Sequence, residues 1–188
     1  MKKLLLPFLV LLFACSEEDP ALEFPLKAEE KFSSEIFFSE YIEGTSFNKA
    51  LEIVNLTGIT IDLEAEAYSL KKQQNGSGEW MSELMLTGEI VHNDIFVISN
   101  ESATIPEIIE QADQLKTGSP LDFNGNDPIG LFKDGELIDI IGTFNDSEEF
   151  AKDQTLRRKK AITEPSKTYN SQDWEVLKQD TVNDLGKY

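Results

Sequence analysis

Two groups of acidic or oxygen-rich side chains in this 188-residue chain have types and spacings that could do chemistry. Glu40, Glu43 and Glu52 interrupt otherwise apolar stretches, Ile36 to Ile42 and Ala50 to Asn55. Carboxylates in such settings either gather around a cation or accept backbone N–H bonds where a sheet turns, because a buried carboxylate must be paired one way or the other. The second, structural role is the preferred reading of these three. Asp122-Phe123-Asn124-Gly125-Asn126-Asp127 sets Asp122, Asn124, Asn126 and Asp127 in the alternating pattern of a calcium loop. Calcium takes about 6–8 oxygens, and an EF-hand needs Gly at its sixth position and Glu at its twelfth. Counted from Asp122 those positions are Asp127 and Lys133, which excludes an EF-hand. Asn-Gly also forms turns in its own right. No cofactor or metal is therefore expected, calcium being the one alternative these residues bring into view.

The remaining candidates are single residues or one run. Arg157-Arg158-Lys159-Lys160 is the only basic run, and on a strand its side chains would alternate between faces. It reads as a solvated strand balancing acidic neighbours before it reads as an anion-docking patch. Asp139, inside Leu137 to Ile141, is expected to be a structural hydrogen-bonding acid, and His92 an exposed turn residue. Trp80 and Trp174 could stack on sugar rings, but a sandwich of this size is expected to spend both on the core. With one histidine and one cysteine, and no G-x-S-x-G, H-E-x-x-H or Walker loop, no recognised nucleophile or general base stands at a known spacing.

The lone cysteine belongs to an export signal. Met1-Lys2-Lys3 is a basic start, Leu4 to Ala14 an apolar run too short to span a membrane, and Ala14 the small residue before Cys15. Leu12-Phe13-Ala14-Cys15 resembles the lipobox of bacterial lipoproteins. The resemblance implies that residues 1–14 are removed, that Cys15 is acylated with palmitate-type chains, and that the membrane is held through that lipid. Ser16-Glu17-Glu18-Asp19-Pro20 then opens an acidic, Pro-punctuated tether, residues 15–31. It resembles the tag that sends some lipoproteins to the outer face of the outer membrane, so an exported, cell-surface lipoprotein is expected. With Cys15 spent on lipid no disulfide can form. A net charge of −18 repels phosphate backbones and anionic membrane surfaces alike, so general electrostatics predict no nucleic-acid partner.

Residues 32–188 carry the folded domain. Short apolar runs separated by turn residues predict an all-β fold. Strands are expected at Ile36 to Ile42, Ala50 to Asn55, Trp80 to Leu86 and Ile90 to Ser99, the last broken at Asn93-Asp94. Ile59 to Tyr68 alternates apolar and polar with a period of two, as a half-buried strand does. Asp134-Gly135, between Ile129 to Lys133 and Glu136 to Ile141, predicts a type I′ hairpin. Trp174 and Val176 mark a last strand. One helix is expected, with Thr104 as N-cap and Glu107 completing a capping box. Ile105, Ile108, Ile109, Ala112 and Leu115 would share one face, Lys116 and Gly118 would end it, and it would plug an open end between two sheets.

Several of these segments together resemble a bacterial lamin tail domain, an immunoglobulin-like β-sandwich. The match is carried by Ser39 to Asn55, by Phe123 to Asp127 running into Ile129 to Gly142, by Thr155 to Lys159, and by the Trp174 segment ending in Asp180-Thr181-Val182-Asn183-Asp184-Leu185-Gly186. It implies a sandwich with one short inserted helix and a non-enzymatic module. The expected function is a lipid-anchored binding or scaffold protein of the cell envelope, with a surface protein or polysaccharide as partner. Because such domains are often fused to hydrolases, an accessory subunit of an exported nuclease or phosphoesterase is the alternative. A metal-dependent hydrolase built on Glu40, Glu43, Glu52 and the Asp122 loop is the third and weakest reading.

Overall fold

The computed structural model describes residues 31–188; Cys15, the signal segment and the tether through residue 30 lie outside the described residues. In chain order the elements are β1 (Phe37–Glu43), β2 (Lys49–Asn55), β3 (Ile61–Asp62), β4 (Tyr68–Lys72), β5 (Met81–Met85), β6 (Glu89–Ile90), β7 (Asp94–Asn100), α1 (Pro106–Glu110), β8 (Gln114–Lys116), β9 (Ile129–Lys133), β10 (Glu136–Ile141), β11 (Gln154–Arg158) and β12 (Trp174–Lys178). They build an all-β sandwich with one short helix. A six-stranded sheet, ordered β12-β11-β1-β2-β7-β8, packs on a four-stranded sheet, β10-β9-β4-β5, while β3 and β6 form a small ribbon. Every pair is antiparallel except β7 with β8.

Phe38, Tyr41, Leu51, Ile53, Phe96, Ile98 and Leu156 from the larger sheet fill the space against Tyr68, Leu70, Ile129, Leu131 and Ile141 from the smaller one. The larger sheet is covered on its outer side as well. There Ile42, Ala50 and Val97 pack with Ile108 of α1 and Leu185. All seven residues of β1 and all seven of β2 are therefore buried. Strands buried on both faces read as continuous apolar runs rather than as alternation. Polar members of such strands must find partners inside the fold, and this is where the acids of β1 and β2 stand.

The Asp134-Gly135 turn is as expected, with φ of 48° and 81° at its two centres. Three expectations are corrected. The Ile59 to Tyr68 alternation is no continuous strand: only Ile61–Asp62 pairs, then Asp62 Oδ1 accepts the Ala65 N–H (2.9 Å) and Ala67 takes a φ of 53°. A side chain hydrogen-bonding three residues ahead turns the chain, and that local bond outweighs the period-two pattern. The helix is only Pro106–Glu110, with no cap from its own N-terminal side chain. Asn48 Oδ1 reaches across from the β1–β2 turn instead and accepts the Thr104 and Ile105 N–H groups. The helix packs on the outer side of the larger sheet rather than plugging an end, and Leu115 belongs to β8. Finally, the β1–β2 register slips between Phe38 and Glu40. This bulge turns Glu40 out with Ile42, while Phe38 and Tyr41 both face the other sheet. Uniform alternation would have put Glu40 on the side of Ile36 and Phe38.

Candidate functional site

The bulge and the β1–β2 register place Glu40 directly opposite Glu52. Arg157, the β11 neighbour of Glu40, approaches it with Nε at 3.2 Å and Nη2 at 3.4 Å. Burial raises the Glu40 pKa, and Arg157 opposes that rise. Glu52 has no such cation: Oε1 accepts from Ser39 Oγ (2.7 Å) and Oε2 from the Gly186 N–H (2.7 Å). Burial pushes its pKa up to about 7. Glu43 stands apart, paired with Lys49 (3.0 Å) and accepting the Asp153 N–H. Two of the three acids are thus brought together, and both act as acceptors within the fold.

The Asp122 loop is also spoken for. Lys72 Nζ lies 2.6 Å from Asp122 Oδ1 and 3.4 Å from Asp127 Oδ2. Asp127 further accepts N–H groups from Asn75 (2.6 Å) and Asn124 (2.9 Å), which makes it a buried staple between two loops. Asn124 and Asn126 point elsewhere, lining a cleft of about 370 Å³ with Glu43, Glu149, Lys152 and Asp153. Among the described residues no three Asp, Glu, His or Cys side chains converge as a metal-holding group.

The basic run is split and partly internal, not a solvated strand. Arg157 serves Glu40 and Asp184, while Arg158 is buried against Asp139 (2.5 Å) with its guanidinium over the rings of Phe37 and Trp174. Its cationic plane finds aromatic faces and a carboxylate together, which a strand pattern does not reveal. Lys159 Nζ donates to Gln172 O (2.7 Å), and Lys160 sits over Tyr188. Asp139 is the structural acid expected. His92 is half-buried, its Nδ1 accepting the Gly58 N–H (3.0 Å) and its ring meeting Phe32 edge-on. Trp174 belongs to the core.

Trp80 does not. It flanks a groove of about 270 Å³ with Leu137, Ile140, Thr143, Phe144, Lys167, Thr168 and Tyr169. Trp80 stacks on Phe144 at 4.9 Å and 27°, and its edge meets Phe132 at 5.3 Å and 81°. Gly130 keeps the neighbouring sheet surface low, since a Cβ there would lie 2.6 Å from the Phe132 ring and 2.8 Å from Leu137. Tyr169 leans on Phe150, and burial pushes its hydroxyl up to about 12, so it stays a neutral donor. The stack is fixed from below by Gln73, which is fully buried. Its Nε2 donates to Gly78 O (2.5 Å) and Asn145 Oδ1 (2.7 Å), and its Oε1 accepts the Asn145 N–H (2.8 Å). One amide thereby ties the loop before Trp80 to the residue after Phe144.

Sequence reasoning gave Trp80 to the core, which the structure corrects, and missed its partners. Phe144 and Tyr169 follow no spacing that marks them, and Gln73 opens the polar run Gln73 to Gly78, in which nothing points to Asn145. The groove offers apolar and aromatic walls beside the hydroxyls of Thr143, Thr168 and Tyr169 and the ammonium of Lys167. That combination can hold an amphipathic ring. No protein-family model matches the chain, and no curated protein matches it.

Proposed function

We propose that this protein is a non-catalytic binding module of the cell envelope, of the lamin tail type, carried on lipid at Cys15 and presenting the Trp80 groove to polysaccharide. The observation that carries this reading is the Trp80–Phe144 stack, whose two loops Gln73 ties together. A pyranose ring has an apolar C–H face that packs on an aromatic ring and a hydroxyl rim that seeks donors and acceptors. The groove supplies both, and small-ligand sites combine apolar walls with few polar groups in this way. The acidic tether and Cys15 support an outer-membrane, surface-exposed location.

The test is retention of the protein on immobilised envelope polysaccharide and on a glycan array, with Trp80→Ala alongside. Binding lost in Trp80→Ala is the expected result. If neither support retains the wild type while a pull-down enriches a surface protein, the partner is protein rather than glycan. Capture of neither defeats the reading. Protease digestion on intact cells, abolished by Cys15→Ala, tests the anchor separately.

A further inference from the structure

After β12 the chain turns at Asp180, whose φ is 60°, and crosses the outer side of the six-stranded sheet. Leu185 is buried there among Ile42, Ala50, Val97 and Ile108, with Val182 packed against them. Asp180 accepts from the Thr45 N–H (2.8 Å) and Oγ1 (3.0 Å), and at the other end Lys160 sits over Tyr188. Gly186 N–H donates to Glu52, Arg157 reaches Asp184 (3.3 Å) and Asn183 (3.4 Å), and Thr155 Oγ1 donates to Thr181 O (3.1 Å).

Beneath this crossing lies the Glu40–Glu52 pair. The guanidinium beside the pair, Arg157, is divided between Glu40 and Asp184. Among the described residues Glu52 is met only by a hydroxyl and a backbone N–H. The charged and titratable groups around it are Glu40 on β1, Arg157 on β11 with Lys160 beyond it, and Asp184 and Tyr188 on the crossing segment. From β7 and α1 the face is met by Val97 and Ile108. Ionised in place, Glu52 is a buried charge without a cation of its own, an arrangement that is costly to hold. Strands flank it on both sides within the sheet, so the direction in which water can reach it is outward, past Gly186.

We propose that residues 182–188 are a strap that closes over protonated Glu52 and opens as Glu52 ionises, uncovering the apolar face formed by Ile42, Ala50, Val97 and Ile108. Burial outweighs the Gly186 N–H bond, which by itself favours the carboxylate, so the closed state holds the Glu52 proton more tightly than the open state does and linkage requires opening to grow as pH rises. Opening therefore grows from the ordinary carboxylate range, where an uncovered Glu52 ionises, and levels off near 7, where the covered Glu52 ionises too. The strap lies on the six-stranded sheet and the Trp80 groove on the four-stranded one, so either can fail alone.

Amide hydrogen exchange of Leu185 and Gly186, corrected for intrinsic base catalysis, tests this between pH 5.5 and 8.5. In the wild type the opening constant should rise by about tenfold per pH unit from pH 5.5 towards 7, the slope of one proton released, and level off above it, where the closed state has lost the proton too. In Glu52→Gln it should stay flat. Ser39→Ala provides a second, independent reading: the Ser39 hydrogen bond lowers the Glu52 pKa, so its removal should move the levelling-off to higher pH. Equal slopes in wild type and Glu52→Gln, or a levelling-off unmoved or lowered by Ser39→Ala, would overturn the proposal.

Discussion

Asp139 Oδ2 and Arg158 Nη1 lie 2.5 Å apart in the interior and join the two sheets. Asp139 sits on β10 beside a register slip between Leu137 and Asp139, and its Oδ2 also accepts the N–H of Phe38, next to the bulge of β1. Arg158 Nη1 returns a bond to Phe38 O (3.2 Å), and Asp139 Oδ1 accepts the Ser166 N–H (2.8 Å). Irregular strands leave backbone groups that no neighbouring strand can serve, and this ion pair serves them. Removing one partner strands a buried charge, so Asp139→Ala should cost about 3–5 kcal/mol in urea unfolding. Asp139→Leu combined with Arg158→Met should recover a large part of that loss. A single-variant cost under about 1 kcal/mol would mean that the pair does not hold the sheets together.

Glu52 makes global stability depend on pH in the direction opposite to that of a salt-bridged acid. Its folded pKa, about 7, lies above the ordinary 4.5, so the folded state binds the proton more tightly. Its contribution is full below the ordinary value and is lost as pH rises through about 7. From that shift the wild type should lose about 2 kcal/mol between pH 5.5 and 8.5 that Glu52→Gln retains. Urea midpoints at the two pH values measure it; parallel losses would remove Glu52 as the cause.

Gln73→Ala should loosen the groove without touching its lining. It leaves Gly78 O and the Asn145 groups unpaired, which costs about 1–3 kcal/mol. Trp80 should lose its hold on Phe144, shifting its fluorescence to the red and weakening glycan retention. Rescue of both by Gln73→Glu is not expected, because a carboxylate cannot donate to Gly78 O. An unchanged Trp80 spectrum would show that the stack holds itself.

How far these features could be read in advance depends on how local their causes are. The Asp134-Gly135 hairpin was legible because the turn's backbone demands sit in the two residues themselves. Buried β1 and β2 were legible as apolar runs. The Ile59 to Tyr68 alternation misled because one Asp62 side-chain bond redirects the chain. The helix was overextended because Asp113 is bound to β7: its N–H donates to Val97 O and its Oδ2 accepts the Val97 N–H. Neither partner is near in sequence. The groove was hidden for the same reason, since Gln73 and Asn145 stand 72 residues apart. Asp122 and Asp127 carried the right ligand chemistry for calcium, but the ammonium that meets them comes from Lys72, about fifty residues away.

Lys72 therefore gives a direct check on that loop. Millimolar calcium should leave the melting temperature of the wild type unchanged, because the ammonium already stands between Asp122 and Asp127. Lys72→Met should melt lower, with Asp127 losing its cation while keeping its N–H donors. A calcium-dependent rise in the wild type would restore the loop as a cation site.

The matched pairs inside the sandwich also decide what two copies of the domain feel at a distance. Lys49, Lys72, Lys133, Arg157 and Arg158 are each spent on a carboxylate of the same chain. Each pair cancels one charge of either sign, so the excess of 35 acidic over 17 basic residues is undiminished and leaves an outward field that is mostly negative. Neighbouring molecules on one surface would then space themselves by mutual repulsion, over a range set by the Debye length of the medium and shortened by added salt.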